Sequence, residues 1–307
     1  MSEPKLKWVR DSDTPDSIPT PRRQRATSMG STKPPDTAVL PTRGHLTFVS
    51  GTSLTIVALM VIACVVGLFD PKILYPTNDQ FRSAFPTDLV NLLGVPLLLG
   101  PMWLARRGSL VGLLLWPGAL LYLLYHDLVY LFGMPRSAMF LLHLVLAGLN
   151  LYAMISLFAN IDGRKVQQLL TGVVAEKVGG GVLAGFGVLF FVGAAYLLIS
   201  AFFKRITMFP SEVGLHATDL LMTPAWIVGG VLLWRRKALG YVTGMGLLLQ
   251  ACMLFAGLIV LFVLQPFIAG SQFRLVDVLV IFAMSLFCVV PFCLFVRGAA
   301  GKRLNRL

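Results

Sequence analysis

Residues 46–69, LTFVSGTSLTIVALMVIACVVGLF, contain no charged side chain. A run of about 20 apolar residues is the length a helix needs to cross the hydrocarbon core of a bilayer. Predominantly apolar runs of this kind recur along the chain, at 46–69, 87–105, 109–132, 137–159, 180–203, 217–234, 238–264 and 276–296. Strand-type alternation is absent. In lipid a helix satisfies its own backbone hydrogen bonds and an open strand does not. The pattern therefore predicts an all-α membrane protein with eight transmembrane helices.

Composition agrees. The chain is 56% hydrophobic and 13% charged, against about half and a quarter in a soluble domain. The excess is unevenly spread. Residues 1–44 are rich in Pro, Ser, Thr and charge and carry too few large apolar side chains to build a core, so they read as a disordered tail. No apolar stretch near residue 1 resembles a cleavable signal peptide, which leaves the first span as the targeting signal.

The net charge of +12 raises the question of nucleic acid. Sidedness answers it. With the N-terminus in the cytoplasm, 20 of the 26 Lys and Arg residues fall inside and 6 outside, as the positive-inside rule requires. The expected location is the cell membrane, with both termini cytoplasmic. The expected partner is the bilayer itself, with anionic lipid at the cytoplasmic basic residues and no nucleic acid. The oligomeric state is not readable from the sequence. Cys64, Cys252, Cys288 and Cys293 all lie in predicted spans without a CxxC pair, which argues for packing roles and against thiol redox chemistry.

The two halves resemble each other. PTDLVNLLGVPLLL, a helix, ARRGSL and a further helix in the first half match ATDLLMTPAWIVGG, a helix, WRRKAL and a further helix in the second. Four spans per half place both halves in the same orientation, a parallel repeat. The expected units are the tail 1–44, a first four-helix bundle 45–160, a cytoplasmic linker 161–178, and a second four-helix bundle 179–307. Gly181/Gly185 and Gly240/Gly244 have the small-xxx-small spacing that lets helices approach closely. VGGGVLAG lacks the Lys-Ser/Thr ending of a phosphate loop.

Polar residues within the apolar runs are the functional candidates, because inserting Asp at a helix centre costs about 2.5–3.5 kcal/mol. Tyr122, His126 and Tyr130 share one stripe of the third span, at i, i+4 and i+8. Asp127 points about 100° away from His126. His143 and Asn150 share a face of the fourth span with Met139. Asp88 and Asn91 begin the second span. These eight residues, Asp88, Asn91, Tyr122, His126, Asp127, Tyr130, His143 and Asn150, form the expected ligand-binding set in the outer part of the first bundle. His126, His143 and Asp127 are the metal candidates. Bland readings stand beside these. Thr87-Asp88 and Thr218-Asp219 fit helix N-termini, tyrosines fit interfacial anchors, and His126 and His143 could satisfy each other. Aligning the Arg-Arg turns sets Tyr122 against Ala251, His126 against Phe255, Asp127 against Ala256 and Tyr130 against Ile259, so the second half lacks the polar content.

DLVNLLGVPLLL, ARRGSLVGLLLWPGALLYLLYHDLVYLFG and LNLYAMISLF resemble a group of prokaryotic multi-pass membrane proteins across residues 50–160. The resemblance implies a multi-pass helical fold and carries no activity with it. No HExxH, HxxxH or Ser-nucleophile motif occurs, so no catalytic residue and no cofactor is assigned. The leading expectation is a small-ligand or ion binding or transport protein with an outer-face polar pocket. The alternatives are a membrane-embedded enzyme acting on a lipid or quinone-like substrate, with His126 or His143 as base, and a structural membrane subunit.

Overall fold

A computed structural model describes residues 40–44, 46–69, 90–133, 138–269 and 272–304. Within them the chain forms α1 (Thr47–Phe69), α2 (Gly94–Arg106), α3 (Leu110–Gly133), α4 (Ala138–Asn160), α5 (Gly163–Leu170), α6 (Glu176–Lys204), α7 (Pro210–Trp234), α8 (Ala238–Ala269) and α9 (Leu275–Leu304). The only β pairing among the described residues is a single bridge between Thr42 and Ile161. Seven helices are long and apolar enough to cross a membrane, which makes the chain a multi-pass membrane protein in contact with lipid.

Seven is one fewer than the eight runs in the sequence. The run at 87–105 becomes a shorter apolar helix, Val90–Arg106, with a turn at Leu93 before α2 begins. Asp88 and the cap proposed at Thr87 lie outside the described residues, as do residues 1–39 of the tail.

α1 packs on α2 and α4, and α3 packs on α2 and α4; α6, α7, α8 and α9 pack in the corresponding order. α3 is the central helix. In its most apolar 18-residue stretch 78% of the residues are buried, against 17–44% in the corresponding stretches of the other six long helices. It reaches across to both α7 and α8.

Two turns fold alike. Gly108 N–H donates to Ala105 O and Ser109 N–H to Leu104 O, while Arg236 N–H donates to Leu233 O and Lys237 N–H to Leu232 O. Gly108 has φ +81 and Arg236 has φ +55. Both close a helix with a left-handed residue, the usual αL stop. Each matched pair is 128 residues apart. Pro96 and Pro224, Gly112 and Gly240, and Gly118 and Gly246 share that spacing. The second Arg of the first turn, Arg107, thus matches the first Arg of the second turn, Arg235. This spacing differs by one residue from an alignment on the Arg-Arg pairs. On that spacing Tyr122 would stand against Gln250, His126 against Leu254, Asp127 against Phe255 and Tyr130 against Leu258.

α3 and α8 meet at Gly118 and Gly246, backbone to backbone. A Cβ on Gly246 would lie 2.8 Å from Gly118 N. Farther along, Gln250 Nε2 donates to Leu121 O at 3.2 Å. Contacts advance together along both helices, so α3 and α8 run in the same direction.

Several boundaries differ from the sequence pattern. α7 starts at Pro210 instead of residue 217: proline fits the first helical position, and Glu212 accepts the Phe209 N–H at 3.0 Å. The expected linker holds α5, capped by Asp162, which accepts from the N–H groups of Arg164 and Lys165. α5 buries Val166 and Leu170, four residues apart on one face. Residues 40–44 are tied to the α4–α5 junction, with Arg43 N–H donating to Asn160 O and Asp162 N–H to Pro41 O.

The glycine expectation is met in part. Gly240 and Gly244 pack against Leu233. On α6 the close approach falls one residue earlier than expected: Gly180 meets the backbone of Gly230, Gly181 faces the Trp234 ring, and Gly185 faces open space.

Candidate functional site

α3 carries Asp127 toward α4, where the Met139–His143–Asn150 face lies buried as a unit. Asp127 Oδ1 is 2.9 Å from His143 Nδ1. Asn150 Nδ2 donates to Asp127 Oδ2 at 2.8 Å. Both carboxylate oxygens are therefore engaged by α4, and Asp127 is only 5% exposed. The contact joins the two side chains whichever of them holds the proton, and His143 Nε2 has no hydrogen-bond partner among the described residues. The distance from the start of α3 to Asp127 is about 26 Å at 1.5 Å per residue. The polar centre thus lies near the end of α3 opposite the Arg106–Arg107 turn.

Aromatic rings pack on both histidines. Tyr130 stacks on His143 with centroids 4.2 Å apart and planes 7° from parallel. His126 lies edge-on to Tyr122 at 4.6 Å and to Tyr125 at 5.9 Å. The Tyr122–His126 half of the predicted stripe is a real contact. Tyr130 leaves the stripe to pack on α4. His126 and His143 do not hydrogen-bond each other, contrary to one sequence expectation: His143 Nδ1 is committed to Asp127, and His126 points about 100° away from Asp127.

Five buried side-chain atoms have no hydrogen-bond partner among the described residues: Asn91 Oδ1, Tyr122 OH, His126 Nε2, His143 Nε2 and Asn150 Oδ1. All five belong to the expected site residues of the first half. An unpaired buried polar group costs about 1–3 kcal/mol, so packing alone does not favour keeping five of them.

The sequence reading missed two connections. Tyr125 OH donates to Asp219 Oδ1 at 2.7 Å, linking α3 to α7. Asp219 is not a capping residue, since it lies well inside α7, and the preceding Thr218 hydroxyl donates to Gly214 O. Gln250 joins three helices: Trp226 Nε1 donates to its Oε1 at 3.1 Å and its Nε2 reaches α3. The second half therefore keeps buried polar contacts of its own. The usable sequence signal was an amide and a carboxylate inside apolar runs, the same signal that flagged Asp127.

Among the described residues no three His, Cys, Asp or Glu side chains are grouped to hold a metal ion. The candidate set His126, His143 and Asp127 is not assembled, because Asp127 spends both oxygens on α4 and His126 faces the tyrosines. All four cysteines are free; Cys64, Cys252 and Cys288 are buried and Cys293 is exposed.

No family model matches the chain, and no curated protein or solved structure matches it.

Proposed function

We propose that the chain crosses the membrane eight times as two parallel four-helix bundles, with both termini cytoplasmic, and that the first bundle binds a small polar ligand near its outer end. The matched turns, the common spacing of 128 residues and the Gly118–Gly246 contact support the paired bundles. The basic turns and α5 support the sidedness.

The observation that carries the binding reading is the Asp127–His143 pair with His143 Nε2 buried and unpartnered. Asn91 Oδ1 and Asn150 Oδ1, also buried and unpartnered, are acceptors. Tyr122 OH and His126 Nε2 can act either way. An acceptor-rich set beside a carboxylate is complementary to a small ligand that donates several hydrogen bonds, such as an ammonium or a protonated amine. A purely structural role would instead pair these atoms with one another.

The test is the thermal midpoint of the detergent-purified protein against ammonium, methylammonium, ethanolamine and choline, with sodium as control. A ligand at 100 times its Kd adds about 2.7 kcal/mol of stability. A saturable rise for one of the amines, lost in Asp127→Asn, is the expected result. Midpoints that follow ionic strength alone would refute the reading.

A second reading has one observation in its favour. A carboxylate on Nδ1 with a free Nε2 is the arrangement of a histidine general base. It supports a membrane-embedded enzyme on a lipid or quinone-like substrate, with His143 rather than His126 as the base.

A further inference from the structure

At the basic end of the helices, between α4 and the α7–α8 hairpin, lies an apolar groove of about 200 Å³. Met154 and Phe158 form one wall, Leu232, Leu239 and Leu247 the other, and Leu121 of α3 is at its floor. The Thr243 hydroxyl beside it donates to Leu239 O, so it presents no free polar hydrogen. From Leu239 to Leu247 the groove runs about 12 Å along α8. One leaflet's share of the hydrocarbon core is about 15 Å. The groove therefore has the chemistry and the reach of a seat for a single acyl chain.

Its mouth is basic. Leu232 and Leu239 flank the turn that contains Arg235, Arg236 and Lys237, all exposed. Phe158 leads into α5, whose Arg164 and Lys165 are also exposed. Gln167 Nε2 donates to Arg236 O at 2.7 Å, which fixes α5 against that turn. Two carboxylates lie nearby, and both are occupied. Asp162 caps α5 and sits 3.9 Å from Lys165. Glu176 accepts from Tyr241 OH and from Gly172 N–H and lies 3.8 Å from Arg236. Among the described residues, Arg164, Arg235 and Lys237 face no carboxylate within ion-pair distance.

We propose that this groove is a binding site for an anionic glycerophospholipid, one acyl chain lying between α4 and α8 and the phosphate resting on Arg235, Lys237 and Arg164. The committed occupant follows from the charge. An apolar slot alone would take any chain, whereas unpaired cations at its mouth select a headgroup with net negative charge. This site lies far from Asp127 and does not depend on what binds there. It also gives α5 a role: its capped first turn holds Arg164 beside the α7–α8 turn.

The test is native mass spectrometry of the full chain, purified in detergent and supplied with phosphatidylglycerol or phosphatidylcholine of identical acyl chains. A one-lipid adduct favouring phosphatidylglycerol is expected. Arg235→Ala with Lys237→Ala should lower that preference about ten-fold. Ala225→Phe should remove the adduct with either lipid, because Ala225 lines the groove from an exposed position where a ring can be accommodated. Thermal midpoints close to that of the parent confirm that both variants fold. Equal binding of the two lipids, retention of the preference without the two basic residues, or retention of the adduct in Ala225→Phe would each overturn the proposal.

Discussion

Asp127 Oδ1 lies 2.9 Å from His143 Nδ1 across the α3–α4 interface. The bond is buried on both sides, so it competes with little water. Interhelical hydrogen bonds in membrane proteins average about 0.6 kcal/mol and reach about 1.7; one to a carboxylate belongs at the upper end. A double-mutant cycle on Asp127→Leu and His143→Leu should return a coupling of about 1–2 kcal/mol in reversible unfolding. The same cycle on His126→Leu and His143→Leu should return less than about 0.5 kcal/mol, because the two rings share no hydrogen bond. Equal couplings would mean that the histidines act as one site after all.

Tyr125 ties the central helix to α7 through Asp219, at 2.7 Å. Tyr125→Phe removes the donor and leaves the carboxylate in place. Asp219→Asn keeps an acceptor oxygen. The expected order is therefore a loss of about 1 kcal/mol for Tyr125→Phe and a smaller loss for Asp219→Asn, read from unfolding in the same detergent. A larger loss for Asp219→Asn would show that the charge, rather than the hydrogen bond, holds α3 to α7.

How far the sequence disclosed this site depends on what kind of relation is asked for. The Met139–His143–Asn150 face is a matter of helical spacing, and it is buried as expected. Asp127 was visible as a charge inside an apolar run. Its partners were not, because the rotation of α3 relative to α4 is set by packing across the whole interface. Asp219 was misread as a cap for the same reason that α7 was begun late. Counting apolar residues passed over Pro210 and Glu212, whose stop-and-start chemistry places the helix end seven residues earlier. Pairing Arg with Arg sets the halves one residue away from the register of the left-handed turn residues Gly108 and Arg236.

Gly118 and Gly246 test the contact between the halves. A side chain at Gly118 would run into the Gly246 backbone, which cannot move aside as a flexible side chain can. Gly118→Val should cost about 1–3 kcal/mol or more. Gly148 sits in α4 with nothing near its would-be Cβ, and there Gly→Ala should add about 0.5–1 kcal/mol through lower backbone entropy. Opposite signs for the two substitutions, from one unfolding assay, are the expected result. Similar effects would mean that α3 and α8 are not held at van der Waals contact.

Sidedness gives the last prediction. Gln167 reaches Arg236 O, and residues 40–44 bond the α4–α5 junction, so these segments share one end of the bundle. At the other end, a Cβ on Gly133 would lie 3.0 Å from Pro210 O, which brings the end of α3 to the start of α7. Four exposed positions sample the two ends: Arg164 and Lys237 at the first, Ser211 and Gln272 at the second. Each can be replaced by cysteine in a background lacking the native thiols and labelled in intact cells with a membrane-impermeant maleimide. Ser211→Cys and Gln272→Cys should label from outside, and Arg164→Cys and Lys237→Cys only after the membrane is opened. Labelling of Arg164→Cys and Lys237→Cys from different sides would break the parallel arrangement, because α4 and α7 would then end in opposite compartments. The reverse pattern, with both pairs exchanged, would keep the fold and overturn the positive-inside assignment.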